Sequence, residues 1–224
     1  MQILLLRGGL GNQLFIYGKY MIEKKCNKNI FIDDVFGFKY DKTFMRVNML
    51  NSFQLNYKRI GFKLDFFWKL LGKINDDISI LFFTNEYFQE SRFLDSFNLN
   101  ISNIYPRICI HIRLKEYSLI LTEQQYLEML NHVIDNNKIL PIYFVTDDPG
   151  QFKLKMPILY ERGACINLNE IQAFTFIAES NQVILSDSSF SFCAAYLGPI
   201  KNITYSRLTN IINNGKNNHK WVKF

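Results

Sequence analysis

The chain opens with a short apolar run that leads directly into a glycine-rich turn. Residues 2–6 read QILLL and are followed by RGGLGN, a pattern that predicts a buried strand ending in a tight turn. From Asn12 the sequence takes helical spacing, with Asn12 as the predicted N-cap and lysines at the far end. A second strand is predicted at 29–32. Together these segments predict a βαβ unit.

The alternation of strands and helices resumes after residue 106. The predicted strands are 108–113, 141–146 and 182–186. Each is followed by a predicted helix, at 122–137, 171–179 and 190–197. The segment Asp147-Asp148-Pro149-Gly150 predicts a turn, with the aspartates as its caps. This alternation predicts a mostly parallel sheet, and the expected fold class is α/β. The Asn- and Lys-rich tail from Asn213 is expected to be frayed.

Composition narrows the class of protein further. Apolar residues make up 48% of the 224 residues and charged residues 21%, which allows a packed core and excludes wholesale disorder. The sequence has no apolar run long enough for a spanning helix and no signal-peptide pattern, so a cytoplasmic protein is expected. The four cysteines are expected to be reduced and mostly buried. The three histidines do not cluster at metal-ligand spacing, so no metal site is expected.

The net charge of +6 suits an anionic partner, which leaves nucleic acid, a nucleotide-linked substrate or a membrane surface. No pattern of a nucleic-acid-binding motif is present, so nucleic acid is not expected. An aromatic stripe with basic residues spans 58–73 and predicts an amphipathic helix. Its aromatic face packs into the core in the favoured interpretation. The alternative is a peripheral contact on the inner membrane face, made by Lys58, Arg59, Lys63 and Lys69.

Three segments carry residues suited to an anionic ligand. The glycine turn at 8–12 precedes a helix whose N–H groups can meet an anion, although a purely structural turn fits equally. His111 and Arg113 share a face at the end of a predicted strand, where a guanidinium can grip a diphosphate with two hydrogen bonds. The alternative for these two is a satisfied histidine and a surface arginine. The segment 186–191 has hydroxyls at a helix start, where either a phosphate or a plain N-cap fits.

These segments also resemble, in order, the motifs of a known family. RGGLGNQLFIYG resembles GGLGNQLFQYA, the opening motif of the bacterial α-1,2-fucosyltransferases of glycosyltransferase family 11. YFQESRF is similar to the family's YFQSEKYF, HIRLKEY to its HIRRGDY and YFVTDDP to its FSDDP. VILSDSSFSFCAAYLG resembles IIANSSFSWWGAYL. The matches span residues 7–197.

The resemblance implies the GT-B arrangement, in which two Rossmann-like halves face a cleft. It implies inverting transfer of L-fucose from GDP-fucose to a galactose hydroxyl of a surface glycan precursor, in α-1,2 linkage. No bound metal or cofactor beyond the donor substrate is expected. The implied organisation is an acceptor-side half at 1–105, a nucleotide-sugar half at 106–205 and a tail at 206–224.

The resemblance also assigns site residues. Arg113 is expected to contact the GDP diphosphate. The candidate bases come from the mechanism and not from the family motifs, because inverting transfer needs either a base for the acceptor proton or an early departure of the leaving group with little base help. They are Glu116, followed by Asp187 and then Asp34. The remaining positions are expected to bind substrate: Gly9, Gly11, Asn12, His111, Ser188, Ser189 and Ser191.

Some positions depart from the family pattern. The second arginine of HIRR is Leu114 here, Asp187 replaces an asparagine, and Ala173 aligns with a family acid, for which nearby Glu170 is the substitute. These departures keep two alternatives open. One is a transferase of the same fold that uses another GDP-linked deoxy or dideoxy sugar. The other is a GDP-binding relative without turnover.

Overall fold

The computed structural model divides the chain into two compact units, Met1–Phe97 and Asn98–Phe224. The structure describes the residues 2–26, 29–39, 45–60, 83–84, 89–114, 121–135, 139–199, 202–206 and 220–224. The predicted boundary between residues 105 and 106 falls a few residues later than this division. The assignment of acceptor and donor functions to the two halves stays a prediction.

The first unit is built on a small parallel sheet with strand order β2-β1-β3. Its described elements are β1 (Gln2–Leu5), α1 (Leu10–Cys26), β2 (Ile30–Asp33), α2 (Phe36–Lys39), a 3₁₀ turn (Leu50–Phe53), β3 (Phe83–Thr84) and α3 (Ser91–Leu94). The predicted βαβ opening is therefore confirmed. Buried apolar side chains of α1, such as Leu14 and Phe15, share the core with Leu4 of β1.

The second unit is built on a larger parallel sheet. Its strands are β4 (Tyr105–Ile112), β5 (Ile142–Thr146), β6 (Ala164–Ile166), β7 (Ser180–Ile184), β8 (Asn202–Tyr205) and β9 (Lys220–Lys223). Its described helices are α4 (Glu123–Asp135), α5 (Pro149–Lys155), α6 (Pro157–Tyr160), α7 (Glu170–Ala178) and α8 (Ser189–Leu197). The predicted strands and helices of this half are all present, within a few residues of their predicted bounds.

The strand order of this sheet is β6-β5-β4-β7-β8-β9, with every pair parallel. Numbered from β4, this is the 3-2-1-4-5-6 order of a Rossmann fold. The chain moves outward in one direction through β5 and β6, then returns to the other side of β4 for β7. The strand order therefore reverses between β4 and β7, where ligands commonly bind in open α/β sheets.

Two predicted boundaries are wrong at the level of single residues. Helix α1 begins at Leu10, so Asn12 lies inside its first turn and is not the N-cap. Pro149 and Gly150 form the first turn of α5 rather than a separate turn. Asp148 caps this helix by accepting a hydrogen bond from the Gln151 N–H at 3.0 Å. Proline is favourable there because the first helical N–H groups have no partner within the helix.

The predicted basic helix at 58–73 does not begin where expected. Lys58 and Arg59 lie in an extended segment that bridges to Ile32 of β2, and the Arg59 guanidinium is ion-paired with Asp34 at 2.6 Å. Residues 61–82, which include Lys63 and Lys69, lie outside the described residues. The membrane contact stays a prediction.

The tail from Asn213 was predicted to be frayed or solvated; residues 213–219 lie outside the described residues, and its end is not frayed but forms a strand. Strand β9 pairs with β8 along its length, with Asn202 opposite Lys220 and Ile203 opposite Trp221. The Trp221 ring lies 5.6 Å from that of Phe192 and 6.1 Å from that of Tyr205, measured between centroids. Aromatic burial of this kind stabilises an edge strand that sequence polarity alone would leave unassigned.

All four cysteines are free. Cys109 and Cys193 are buried, Cys165 is partly buried, and Cys26 is exposed. None of the helices in the described ranges combines the length and apolar character needed to cross a membrane.

The contact between α1 and α3 depends on a residue without a side chain. A Cβ placed on Gly18 would overlap the Phe93 carbonyl oxygen, and the Gly18 carbonyl accepts a hydrogen bond from Ser96 at 3.1 Å. We therefore expect Gly18→Ala to lower the free energy of unfolding by about 1–3 kcal/mol, since the helices must separate. Urea unfolding followed by circular dichroism measures this loss.

Gly150→Ala is the matched control, because the nearest atom to its added Cβ lies 3.6 Å away. In a helical turn this substitution should stabilise by up to about 1 kcal/mol. Equal unfolding free energies for the Gly18 variant and the wild type would contradict the close-packing interpretation.

Candidate functional site

Three polar residues of the second unit lie at the carboxyl ends of its central strands. Arg113 directly follows β4, Asp147 follows β5, and Ser186 comes shortly after β7. The register brings these ends to the same edge, because Ile112 lies opposite Thr146 and Ile110 opposite Ile184. The candidate site therefore occupies the point where the strand order reverses.

Arg113 is held by the neighbouring strand. Its Nε lies 3.2 Å from Asp147 Oδ2, and the two side chains are 25% and 15% exposed. The other carboxylate oxygen of Asp147 accepts the Leu114 N–H at 2.8 Å. One carboxylate thus fixes both the guanidinium and the backbone that follows it. Sequence analysis missed this role, since it treated Asp147 as a turn cap.

His111 is buried rather than exposed at this edge. It is 3% accessible, its Nδ1 lies 2.6 Å from Ser186 Oγ, and its carbonyl accepts a hydrogen bond from the Tyr126 hydroxyl at 3.3 Å. Burial, with a smaller contribution from the charge of Arg113, lowers the pKa of His111 from 6.5 to about 3. The imidazole is therefore neutral at physiological pH.

Residues 186–191, here called the serine turn, connect β7 to α8. Ser188 is the N-cap, and its hydroxyl accepts the Phe190 N–H at 3.3 Å. The N-cap alternative is thus confirmed for Ser188, and it leaves the phosphate role open because both use the same helix end. Ser189 is the first residue of α8, and Ser191 is buried beneath the turn.

Asp187 lies at the middle of the strand-to-helix connection. It is partly buried, and burial raises the pKa of its carboxyl group. Burial raises the pKa of the Tyr126 hydroxyl, and the charge of Asp187 raises it further. The raised pKa of Asp187 suits a proton acceptor. Residues 115–120, which include Glu116, lie outside the described residues.

Two positions that depart from the family pattern pack into apolar surroundings. Leu114 belongs to the hydrophobic core of the second unit and is 7% exposed. Ala173 is buried on α7. Neither of these uncharged side chains can replace the charged residue that the family pattern has at the same position.

In the first unit, the glycine loop between β1 and α1 is fixed by a buried side chain. Gly8 has a φ of 76°, a conformation that favours glycine. Gln13 is fully buried; its amide donates to the carbonyls of Gly8 and Val47, each at 2.9 Å, and its oxygen accepts the Met49 N–H at 2.9 Å. Gln13 was missed by sequence analysis, which treated it only as part of a motif.

The predicted residues of this loop occupy different environments. Gly9 precedes α1, with Arg46 Nε 3.9 Å from the position of an added Cβ. Gly11 is buried in the first turn of the helix. Asn12 Oδ1 accepts a hydrogen bond from Gln89 Nε2 at 2.9 Å.

Asp34, the third candidate base, is occupied within the first unit. Its buried carboxylate accepts hydrogen bonds from Asn48 at 2.9 Å, Tyr57 at 2.8 Å and Arg59 at 2.6 Å. These three donors hold the Asp34 carboxylate within the first unit. Its role is to fasten the segment 48–59 to the end of β2.

No protein-family model matches the sequence, and a search of curated proteins found no match. Solved structures do match. Escherichia coli heptosyltransferase WaaC with ADP has a TM-score of 0.55 at 12% identity, over 100% of this chain and 93% of that chain. The NodZ α-1,6-fucosyltransferase soaked with GDP-fucose has a TM-score of 0.54 at 13% identity, over 93% and 96%.

A third match is E. coli ADP-heptose lipopolysaccharide heptosyltransferase II, with a TM-score of 0.50 at 12% identity, over 100% of this chain and 90% of that chain. At such low identity the likeness defines the fold. The predicted α/β, GT-B-like fold class is confirmed.

The buried His111 predicts a pH dependence of stability. The folded state holds the neutral ring, whereas the unfolded chain binds a proton below about pH 6.5. The stabilisation is therefore complete above pH 6.5 and is lost as the pH falls towards 3. Between pH 6.5 and 5 we expect the wild type to lose about 2 kcal/mol more unfolding free energy than His111→Asn, which cannot titrate.

Urea unfolding of both proteins at the two pH values measures this difference. Comparing the losses of unfolding free energy in the two proteins cancels the contributions of carboxylates, which both proteins share. Equal losses would mean that His111 is accessible to protons in the folded protein.

Proposed function

We propose that the protein is a glycosyltransferase that moves L-fucose from GDP-fucose to a galactose hydroxyl, in α-1,2 linkage, on a surface glycan precursor. The observation that carries the proposal is the position of Arg113, which is fixed by Asp147 and lies at the same sheet edge as the serine turn, where the strand order reverses. The ordered motif resemblance and the fold shared with NodZ, which was soaked with GDP-fucose, support this choice of donor.

The chemistry needs positive potential at the departing diphosphate. In the proposed complex, the guanidinium of Arg113 grips the diphosphate, and the N-terminus of α8 with Ser188 and Ser189 supplies hydrogen-bond donors. Donors held in place before the reaction stabilise developing negative charge without reorganisation. This arrangement replaces a metal ion in the proposed mechanism.

Inversion also needs a group that removes the proton of the acceptor hydroxyl as it attacks the sugar. Glu116 is the first proposed base, and Asp187 is the second, supported by its raised pKa. The acceptor is proposed to bind through the first unit, with its glycine loop at Gly9, Gly11 and Asn12.

A second candidate function is GDP binding without turnover. Leu114 packs into the core where the family pattern has its second arginine, and this loss weakens charge stabilisation at the diphosphate. Incubation with GDP-fucose and galactose-terminated acceptors, read by mass spectrometry, separates the two functions. A panel of other GDP-linked deoxy sugars tests the alternative donors.

Arg113 is expected to be the least replaceable residue. Arg113→Ala should lower turnover roughly a hundredfold or more, since one fixed donor to the leaving group is lost, and should weaken GDP binding. Arg113→Lys should also be badly impaired, because it keeps the charge but loses the fork. Steady-state kinetics and calorimetric GDP titration measure both effects.

The control is Arg162→Ala, an exposed arginine of the same unit whose Nη2 lies 3.4 Å from Asn131 Oδ1. It should leave both quantities unchanged. If Arg113→Ala folds and turns over like the wild type at saturating donor, the diphosphate assignment is wrong.

Transfer is expected to continue in EDTA, because the proposed mechanism neutralises the leaving group with Arg113 and the α8 N-terminus. We expect a change of about twofold at most, since divalent ions also screen a free nucleotide. The rate of GDP release with and without chelator is the measurement. Complete loss of transfer, restored by manganese, would overturn the metal-independent mechanism.

A further inference from the structure

Ser186 received no individual role from sequence analysis, yet it connects two parts of the candidate site. Its Oγ lies 2.6 Å from Nδ1 of His111, across the ends of β7 and β4. Both residues are buried, at 4% and 3% exposure. A hydrogen bond this short between buried neutral groups fixes the ring and the hydroxyl relative to each other.

The contacts continue from Ser186 into the serine turn. Its Oγ lies 3.5 Å from Ser191 Oγ, and Ser191 Oγ lies 3.3 Å from the Ser188 carbonyl oxygen. The backbone closes the same turn, since the Ser186 carbonyl accepts the Ser188 N–H at 2.9 Å. A proton on Nδ1 of His111 gives a directed series, because each hydroxyl donates only once: His111 donates to Ser186, Ser186 to Ser191, and Ser191 to the Ser188 carbonyl at the N-cap of α8.

We propose that Ser186 is a positioning residue, which links His111 Nδ1 to the serine turn and so holds the N-terminus of α8 in place for the donor diphosphate. This inference rests on the proposed function, because it assigns the diphosphate to that helix end. His111 acts in it through Nδ1 and as a neutral ring.

The alternative is that Ser186 only stabilises the fold. The same strand offers a control for this possibility. Ser180, at the other end of β7, is also fully buried; its Oγ accepts from Arg107 Nε at 2.9 Å and donates to the Phe176 carbonyl at 2.6 Å. Ser180→Ala and Ser186→Ala therefore remove the same group from comparable surroundings.

The first experiment compares these two variants by calorimetric GDP titration, steady-state kinetics and thermal unfolding. Loss of one hydrogen bond that holds the ligand site should raise the dissociation constant of GDP and the KM of the donor about tenfold in Ser186→Ala. Ser180→Ala should lose similar thermal stability but leave GDP binding unchanged. Equal GDP affinity in Ser186→Ala and the wild type would overturn the proposal.

The second experiment uses the shape of two amides at position 111. An asparagine places its amide near the Nδ1 position of histidine, whereas a glutamine places it near Nε2. His111→Gln should therefore weaken GDP binding about threefold or more beyond His111→Asn, since only the latter can meet Ser186. The reverse order would assign the role to Nε2 and overturn the link through Ser186. If Ser186→Ala does not fold, the comparison of His111→Gln with His111→Asn still tests the link between Nδ1 and Ser186.

Failure of this inference and failure of the proposed function give different results. A wild-type protein that binds no GDP would overturn the function and this role of Ser186 together. A wild type that binds GDP, with Ser186→Ala binding equally well, would overturn only the role of Ser186.

Discussion

The parallel ladder around β4 determines where the polar groups of the candidate site lie. Ile110 pairs with Phe144 of β5 on one side and Ile184 of β7 on the other, and all three side chains are fully buried. A slip of one residue would move these side chains to the opposite face of the sheet, where Cys109, Val145 and Val183 are buried instead, so the packing of both faces fixes the register. The register in turn places Arg113 beside Asp147. The geometry of the candidate site thus depends on apolar residues of the core.

Six elements of the second unit were predictable because their signals are local: β4, β5, β7, α4, α7 and α8. Short apolar runs mark the three strands, and the N-caps Asn169 and Ser188 stand directly before α7 and α8. The sequence did not predict β6, β8, α5 and α6. Strand β9 was not predictable in this way. Its residues are basic and aromatic, and it is a strand because it pairs with β8 and packs Trp221 on distant rings.

The same distinction holds within the candidate site, between residues that local sequence marks and partners that are distant in the chain. Arg113 and the serine turn were found from strand ends and hydroxyl spacing, which local sequence shows. The partners that hold them were not found, because Asp147 is 34 residues from Arg113 along the chain and Ser186 is 75 from His111. Gln13 is a similar case, since its role depends on backbone groups 34 and 36 residues away. Buried polar side chains reveal their function only through partners that the fold brings near them.

The charges around Arg113 suggest how the site combines affinity with fixed geometry. Asp147 offsets part of the guanidinium charge, which by itself would weaken attraction for a diphosphate. The ion pair also orients the planar guanidinium, and a donor that is already fixed loses less conformational entropy when a ligand binds. The neutral His111 adds no competing charge, and Arg113 itself helps to keep it neutral. In the proposed complex the N-terminus of α8 adds positive potential, so the position of the serine turn matters there as well as the arginine.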